Sequence, residues 1–366
     1  MKIAIIFPKD SEAIFNTGST RTFGGATVQM YLFAKELNNY KNKGINTYSF
    51  IVDYKKIYFK DFNSFNFIKT YKEKDFFIIK YFKFLRQLLA VKPDIVIQHG
   101  LTIFSCILAV ICEFLGIKFV FMFANDRESE GYYQVSNKKC PLFWSLLASS
   151  HFLIVQNDFQ LKQIPEKFKN KSEIIKNGFE IGEFNNEIRN YVLWVARHDH
   201  FKRPSIFLDI VKMNPAINFI MICPPTSNDS HYDSFENSAN EIQNLKFISF
   251  ISFNEIDNYF KKAKIFVNTS ESEGFPQTFI QAAMHSVPIL SLSVNPTNFL
   301  STFNCGFSFN DNVKKLSDKI SELFKNDIEY VKLSKNIYEY ALNNHNIKDV
   351  TKKLLNYLNY EYSTDN

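Results

Sequence analysis

Short apolar runs alternate with longer stretches of helical spacing along almost the whole chain, and that rhythm predicts an α/β protein. In the first half, Lys2 to Phe7, Ile45 to Val52, Asp94 to Gln98, Lys118 to Ala124, Phe152 to Val155 and Ser172 to Lys176 read as strands. In the second half the strands are YVLWVA, Asn218 to Cys223, Leu245 to Ser249, Ile265 to Val267 and VPILSLSV, with CGFSFND as a further short strand or turn. Helical spacing is clear in FGGATVQMYLFAKEL, where Val28, Leu32 and Leu37 share a face, and again in Asn254 to Lys262. From Val313 the chain reads as mainly helical to its end. The polar run from Glu180 to Asn190, preceded by a turn at Gly178, is the best candidate linker. The two halves share a rhythm and no repeated sequence, so the expected division is 1–180, 181–345 and a closing helix over 346–366.

Length agrees with that division, because 366 residues exceed what one hydrophobic core usually organises. A hydrophobic content of 46% is enough for two sizeable cores. The net charge of +6 suits anionic small molecules or an anionic membrane surface and is too weak to imply nucleic acid. Five cysteines, an odd number without CxxC or other metal spacing, exclude a disulfide framework and a zinc site and fit a reducing cytoplasm. MKIAIIFPKD is too short an apolar run for a signal peptide and reads as a first strand. Leu101 to Cys112 is longer, but Glu113, Gly116 and Lys118 interrupt its continuation, so a buried helix is expected and not a membrane span. Residues Tyr58 to Pro93 interleave Phe and Tyr with Lys and Arg. Two readings stand there: a packed helix with a solvated lysine face, or a surface that lies on an anionic membrane.

Candidate chemistry concentrates in Lys264 to Val294, read as a strand, an acidic loop from Ser270 to Pro276, a helix from Gln277 to His285 and a strand. Pro276 suits a first helical turn, so the amides of Gly274 and Phe275 lie just ahead of a helix N-terminus, where an anion is favoured. Glu273 would sit beside that anion, with Gln281 projecting from the helix. Gly24 and Gly25 likewise precede a helix and let backbone approach a phosphate, although the pattern is not GxGxxG and argues against a dinucleotide fingerprint. Ligands of open α/β sheets gather beyond the carboxyl ends of strands, which makes His99, Asn125, Asp126 and Arg127 candidates. Arg197 and Lys202 lie in one loop after a strand of the second half. His198 and His200 flank Asp199 without a third ligand and read as ordinary loop histidines, so no metal site is expected.

EGFPQTFIQA resembles the signature of the retaining, nucleotide-sugar-dependent glycosyltransferases of family 4, with its Glu, seven residues, Glu pattern. The resemblance implies the GT-B fold: two Rossmann-like domains, each with a parallel sheet, facing across a cleft, the last helix crossing back to the first domain. It implies that Glu273 holds donor-sugar hydroxyls and that Gln281, an amide where the family has its second acid, meets the ribose. Arg197 and Lys202 resemble the basic pair on the donor diphosphate, and Gly24 and Gly25 the glycine-rich first loop. Phe250 and Ile251 fall where the base usually lies against backbone; a histidine common in the family is absent at Asn125. The activity implied is transfer of a sugar from a UDP- or GDP-type donor to a saccharide or polyprenyl-linked acceptor, with retention, in bacterial surface polysaccharide assembly at the inner face of the membrane. The chain has no DxD triplet, so no metal cofactor is expected and the cations would hold the diphosphate. The alternatives are an epimerase or phosphorylase of the same fold, and a non-catalytic nucleotide-sugar-binding protein.

Overall fold

The computed structural model describes residues 1–16, 19, 23–54, 64–133, 138–184, 189–226 and 229–362. Residues 58–63 of the basic aromatic stretch and 185–188 of the polar run lie outside them. The chain separates into two compact units, Met1–Gly178 with Ile347–Asn366, and Phe179–Asn346.

The first unit is built on β1 (Lys2–Ile6), β2 (Asn46–Ile51), β3 (Asn66–Lys69), β4 (Ile95–His99), β5 (Lys118–Met122), β6 (Phe152–Val155) and β7 (Ser172–Ile174). Their order is β3-β2-β1-β4-β5-β6-β7 and every pairing is parallel, Ile3 facing Thr47 on one side and Ile95 on the other. A parallel sheet is covered on both faces, so its central strands are apolar throughout; β4 and β6 are buried at every position. Only β3 escapes the apolar-run reading. It is a half-exposed edge strand whose Asn66 and Lys69 face water, so little hydrophobic signal marks it. The run at Leu101 is a helix, Ile103–Phe114, opened by a capping box in which Ser105 N–H donates to Thr102 Oγ1 at 3.0 Å and Thr102 N–H to Ser105 Oγ at 2.8 Å. Gly116, with φ of 66°, ends it before β5. No helix among the described residues is long and apolar enough to cross a membrane. The helix Ile347–Tyr362 packs on the helix Gly25–Asn38 of the same unit.

The second unit carries β8 (Tyr191–Val195), β9 (Asn218–Ile222), β10 (Leu245–Ile248), β11 (Ala263–Asn268), β12 (Ile289–Ser291) and β13 (Gly306–Ser308), all parallel, in the order β10-β9-β8-β11-β12-β13. One of its apolar layers centres on Trp194 and Phe207, the other on Phe266, Phe279 and Phe299. The helix Gln277–Met284 sits close to the helix Asp327–His345, an approach that its small buried Ala282 and Ala283 permit. Pro276 occupies the N-cap of that helix, one position earlier than a first-turn proline. The expected α/β architecture with one parallel sheet per half is the one observed.

In each sheet the strand order reverses beside the first strand, between β1 and β4 and between β8 and β11. Loops leaving two such strands diverge to opposite sides, opening a crevice at their carboxyl ends.

At the sheet margin, a Cβ added to Gly306 would stand 2.2 Å from the Ile289 carbonyl oxygen and 2.9 Å from Leu300. Gly306→Ala is therefore expected to cost the second unit about 2–3 kcal/mol by overpacking, read as a lower urea midpoint; an unchanged midpoint would contradict this packing.

Candidate functional site

β8 and β11 are neighbours, and the loops that follow them carry the acidic signature and the basic pair. Lys202 Nζ lies 2.6 Å from Glu273 Oε2, with side-chain exposures of 17% and 15%. The two are shielded enough that losing one would leave the other poorly compensated. The second carboxylate oxygen, Oε1, accepts from Asn268 Nδ2 at 3.0 Å, and Asn268 is itself buried at the end of β11, where its Oδ1 accepts Ser270 N–H at 3.1 Å. Glu273 is thus fixed at both oxygens before any ligand arrives. Thr269, fully buried, accepts Trp194 Nε1–H at 3.0 Å and donates to the Lys202 carbonyl at 2.7 Å, while Glu271 N–H donates to the Phe201 carbonyl at 2.8 Å. These bonds stitch one loop to the other.

The remaining residues of the signature serve different ends. Phe275 turns inward, its ring 5.1 Å from Phe299 and 5.3 Å from His345, and anchors the loop on the apolar layer. Gly274 is half-buried between acid and anchor, and Gln281 is buried mid-helix at 8% exposure. Arg197 is exposed, and no ion pair engages it among the described residues. Ile251 packs against the core, whereas Phe250 is 40% exposed. His198 Nδ1 meets Asp229 Oδ2 at 2.6 Å with its ring 4.5 Å from Phe235, a packed loop contact; among the described residues no group of three or more His, Cys, Asp or Glu could hold a metal ion.

In the first unit the strand-end groups are turned on themselves. Gly24 N–H donates to Asp10 Oδ2 at 2.7 Å and Thr27 Oγ1–H to Asp10 Oδ1 at 2.5 Å, so the protein's own carboxylate sits on the first turn of the helix that begins at Gly25. It complements the helix dipole, and the Gly24 amide is already satisfied. His99 is buried, with Nε2 3.2 Å from the Phe123 carbonyl, and burial lowers its pKa to about 4 against the opposing pull of backbone hydrogen bonds. Near neutral pH it is uncharged and a weak proton acceptor. Asn125 is an N-cap, accepting Glu128 N–H at 3.1 Å, and Asp126 Oδ1 accepts from Asn157 and Gln160 at 3.1 and 3.0 Å. Arg127 is exposed, its guanidinium 5.7 Å from the Tyr132 ring centre.

Sequence reasoning missed Asn268 and Thr269, whose importance lies in their partners, and Glu128. The last was within reach: an acid three residues after an N-cap asparagine is a capping signal. Glu128 is fully buried and accepts Ala124 N–H at 2.8 Å.

Residues 179–341 match the family model described as "Glycosyl transferases group 1". The match spans nearly the whole of the second unit. Over a longer span the chain is 23% identical to the capsular polysaccharide biosynthesis glycosyltransferase CapH of Staphylococcus aureus, across 292 residues that cover 74% of this chain and 79% of CapH. Among solved structures, sucrose-phosphate synthase of Thermosynechococcus elongatus superposes with a TM-score of 0.75 at 14% identity, covering 100% of each chain. HepE of Anabaena, solved in complex with UDP, gives 0.74 at 12% identity, covering 98% of this chain and 100% of its own. These likenesses establish the GT-B fold. The Lys202–Glu273 pair stands in the stretch that resembles this family model, at the switch point of its sheet.

Burial raises the Glu128 pKa from 4.5 to about 7, against the backbone hydrogen bonds that lower it. The folded protein then keeps a proton that the unfolded chain releases, so stability falls as pH rises from about 4.5 through 7 and stays reduced above it. Glu128→Gln is expected to melt higher than the parent at pH 8, by up to about 3 kcal/mol, and to match it near pH 4.5. An equal difference at both pH values would refute the buried titration.

Proposed function

We propose that this protein is a retaining glycosyltransferase that moves a sugar from a nucleotide diphosphate donor to a hydroxyl of a saccharide or lipid-linked saccharide. The observation that carries the reading is the Lys202–Glu273 pair, held at 2.6 Å at the sheet's switch point in the stretch that resembles the group 1 model. In this reading Lys202 and the exposed Arg197 take the donor diphosphate. Glu273, steadied by Asn268, accepts hydrogen bonds from the donor-sugar hydroxyls. Gly274, Phe275 and Pro276 contribute backbone, Gln281 reaches toward the ribose, and Phe250 and Ile251 border the base. UDP is the first donor nucleotide to try, because HepE was solved with it.

The proposed step is a front-face displacement. The acceptor oxygen bonds to the anomeric carbon on the face from which the phosphate leaves, the bond from that carbon to the phosphate oxygen breaks, and the departing oxygen takes the acceptor proton. Charge grows on the diphosphate as the bond breaks, and fixed cations stabilise that growth more than they stabilise the bound donor. The reading calls on no metal. CapH, by its name, works in capsular polysaccharide biosynthesis, which supports a place for this chain in surface glycan assembly on the cytoplasmic side of the membrane.

A membrane contact belongs to the same reading. Phe76, Phe77, Ile78 and Phe82 are 57–70% exposed at the start of the helix Phe77–Val91, and Lys72, Lys74 and Arg86 are exposed nearby. The same helix packs on the core through Phe84 and Leu88, so the exposure is confined to its other apolar residues. Apolar side chains among cations suit the interface of an anionic bilayer.

Lys202→Ala and Glu273→Ala are each expected to lower kcat for sugar transfer by about 10²–10³ in a protein that still folds, with a melting temperature lowered by the loss of one partner of the shielded pair. Full turnover by both variants would overturn the assignment, and epimerised sugar nucleotide formed without acceptor would favour an epimerase. Thermal shifts with UDP- and GDP-sugars identify the donor. At low salt the protein should sediment with phosphatidylglycerol vesicles and Phe77→Ser/Phe82→Ser should remain in the supernatant; equal partition of the two removes the membrane contact from the reading.

A further inference from the structure

Arg203 follows the lysine of the pair and adopts a left-handed backbone conformation, with φ of 51° and ψ of 55°. A side chain there is strained, and glycine would sit more easily. The strained backbone aims a guanidinium that is almost completely used. Nε–H donates to the Thr269 carbonyl at 2.6 Å, Nη2 to the Ser270 carbonyl at 3.1 Å and to Ser293 Oγ at 2.8 Å, and Nη1 to Asp311 Oδ1 at 2.8 Å. Ser293 also donates to Asp311, whose carboxyl those two partners hold below the usual carboxylate range. The acceptors are 66 to 108 positions away in sequence. They belong to the loops that follow β11, β12 and β13, and Arg203 itself belongs to the loop after β8. These are four consecutive strands of the sheet.

We propose that Arg203 is a positioning residue that sets the spacing of Lys202 and Glu273 by clamping the carboxyl-end loops of these four strands together. The assignment rests on the site described under Proposed function. Arg203 acts through backbone: the carbonyls it holds belong to Thr269 and Ser270, which lead directly to Glu273. Thr269 returns the contact by donating to the carbonyls of Lys202 and Arg203 at 2.7 and 3.2 Å. Each loop is therefore a template for the other. Asp311 answers the guanidinium charge and four hydrogen bonds occupy its donors, so its work differs from that of the exposed Arg197. A fork of fixed donors can hold several acceptors at once, which a lysine ammonium on a flexible stem does poorly.

The test compares Arg203→Gly, Arg203→Lys, Glu273→Ala and the double variant Arg203→Gly/Glu273→Ala. Glycine suits the left-handed backbone, so Arg203→Gly should fold with a melting temperature within a few degrees of the parent. Amide exchange over Thr269 to Glu273 should rise about tenfold or more, and kcat should fall about tenfold or more, with Arg203→Lys between the two. In the Glu273→Ala background the glycine substitution should change turnover less than about twofold, because the clamp acts through the acid it positions. Unchanged loop exchange and turnover in Arg203→Gly would overturn the proposal, as would a further tenfold loss in the double variant. If Arg203→Gly fails to fold, the exchange and turnover of Arg203→Lys decide, parental values counting against the clamp. If the parent transfers no sugar, the functional reading has failed and loop exchange alone decides whether the clamp exists.

Discussion

A parallel sheet covered on both faces leaves polar chemistry no room except beyond the ends of its strands. Every other property of the candidate site follows from that constraint. Apolar strands carry the chain to one edge, and the residue just past the apolar run is the first whose polar groups can find hydrogen-bond partners in the neighbouring loops. Asn268, the last residue of β11, and Thr269, just after it, stand at that boundary; the side chain of Asn268 holds Glu273 and that of Thr269 holds the Lys202 carbonyl. The acid at 273 is held by strand-end groups rather than by its own loop.

The two units treat the same geometry differently. In the first, Asp10 covers the helix that follows β1, His99 is buried against a carbonyl and Asp126 is taken by two amides. Polar groups there stabilise the fold they belong to. In the second, the carboxylate and ammonium are held close, each about one-sixth exposed, and the exposed guanidinium of Arg197 stands in the same loop as the lysine. A pair of this kind is prepared to exchange one partner for a ligand group of like charge, since the cost of ordering both side chains is already met.

Much of the architecture was legible because a buried strand must be apolar along its length, which makes strands such as β4, β6 and β11 stand out in one dimension. β3 was illegible for the same reason inverted: an edge strand with two exposed ends has no need of that signal. The acidic loop could be seen because its residues are contiguous. Arg203 could not, since in a chain with 43 basic residues only its four distant acceptors set it apart. Asp10 and Asn268 were hidden likewise, by partners that folding supplies. The pairing of Lys202 with Glu273 is a contact across two loops, which motif spacing suggests and only geometry measures.

Phe275 gives the acidic loop a dependence on time. Its ring rests against Phe299, Tyr340 and His345, so the anchor of the loop is completed by the last helix of the second unit. During synthesis the loop emerges well before that helix. Until residues to His345 have been made, the loop has Phe299 to rest on but lacks Tyr340 and His345. The same dependence ties substitutions in the helix Asp327–His345 to the loop across a long stretch of sequence, so the two would be expected to drift together as related chains diverge.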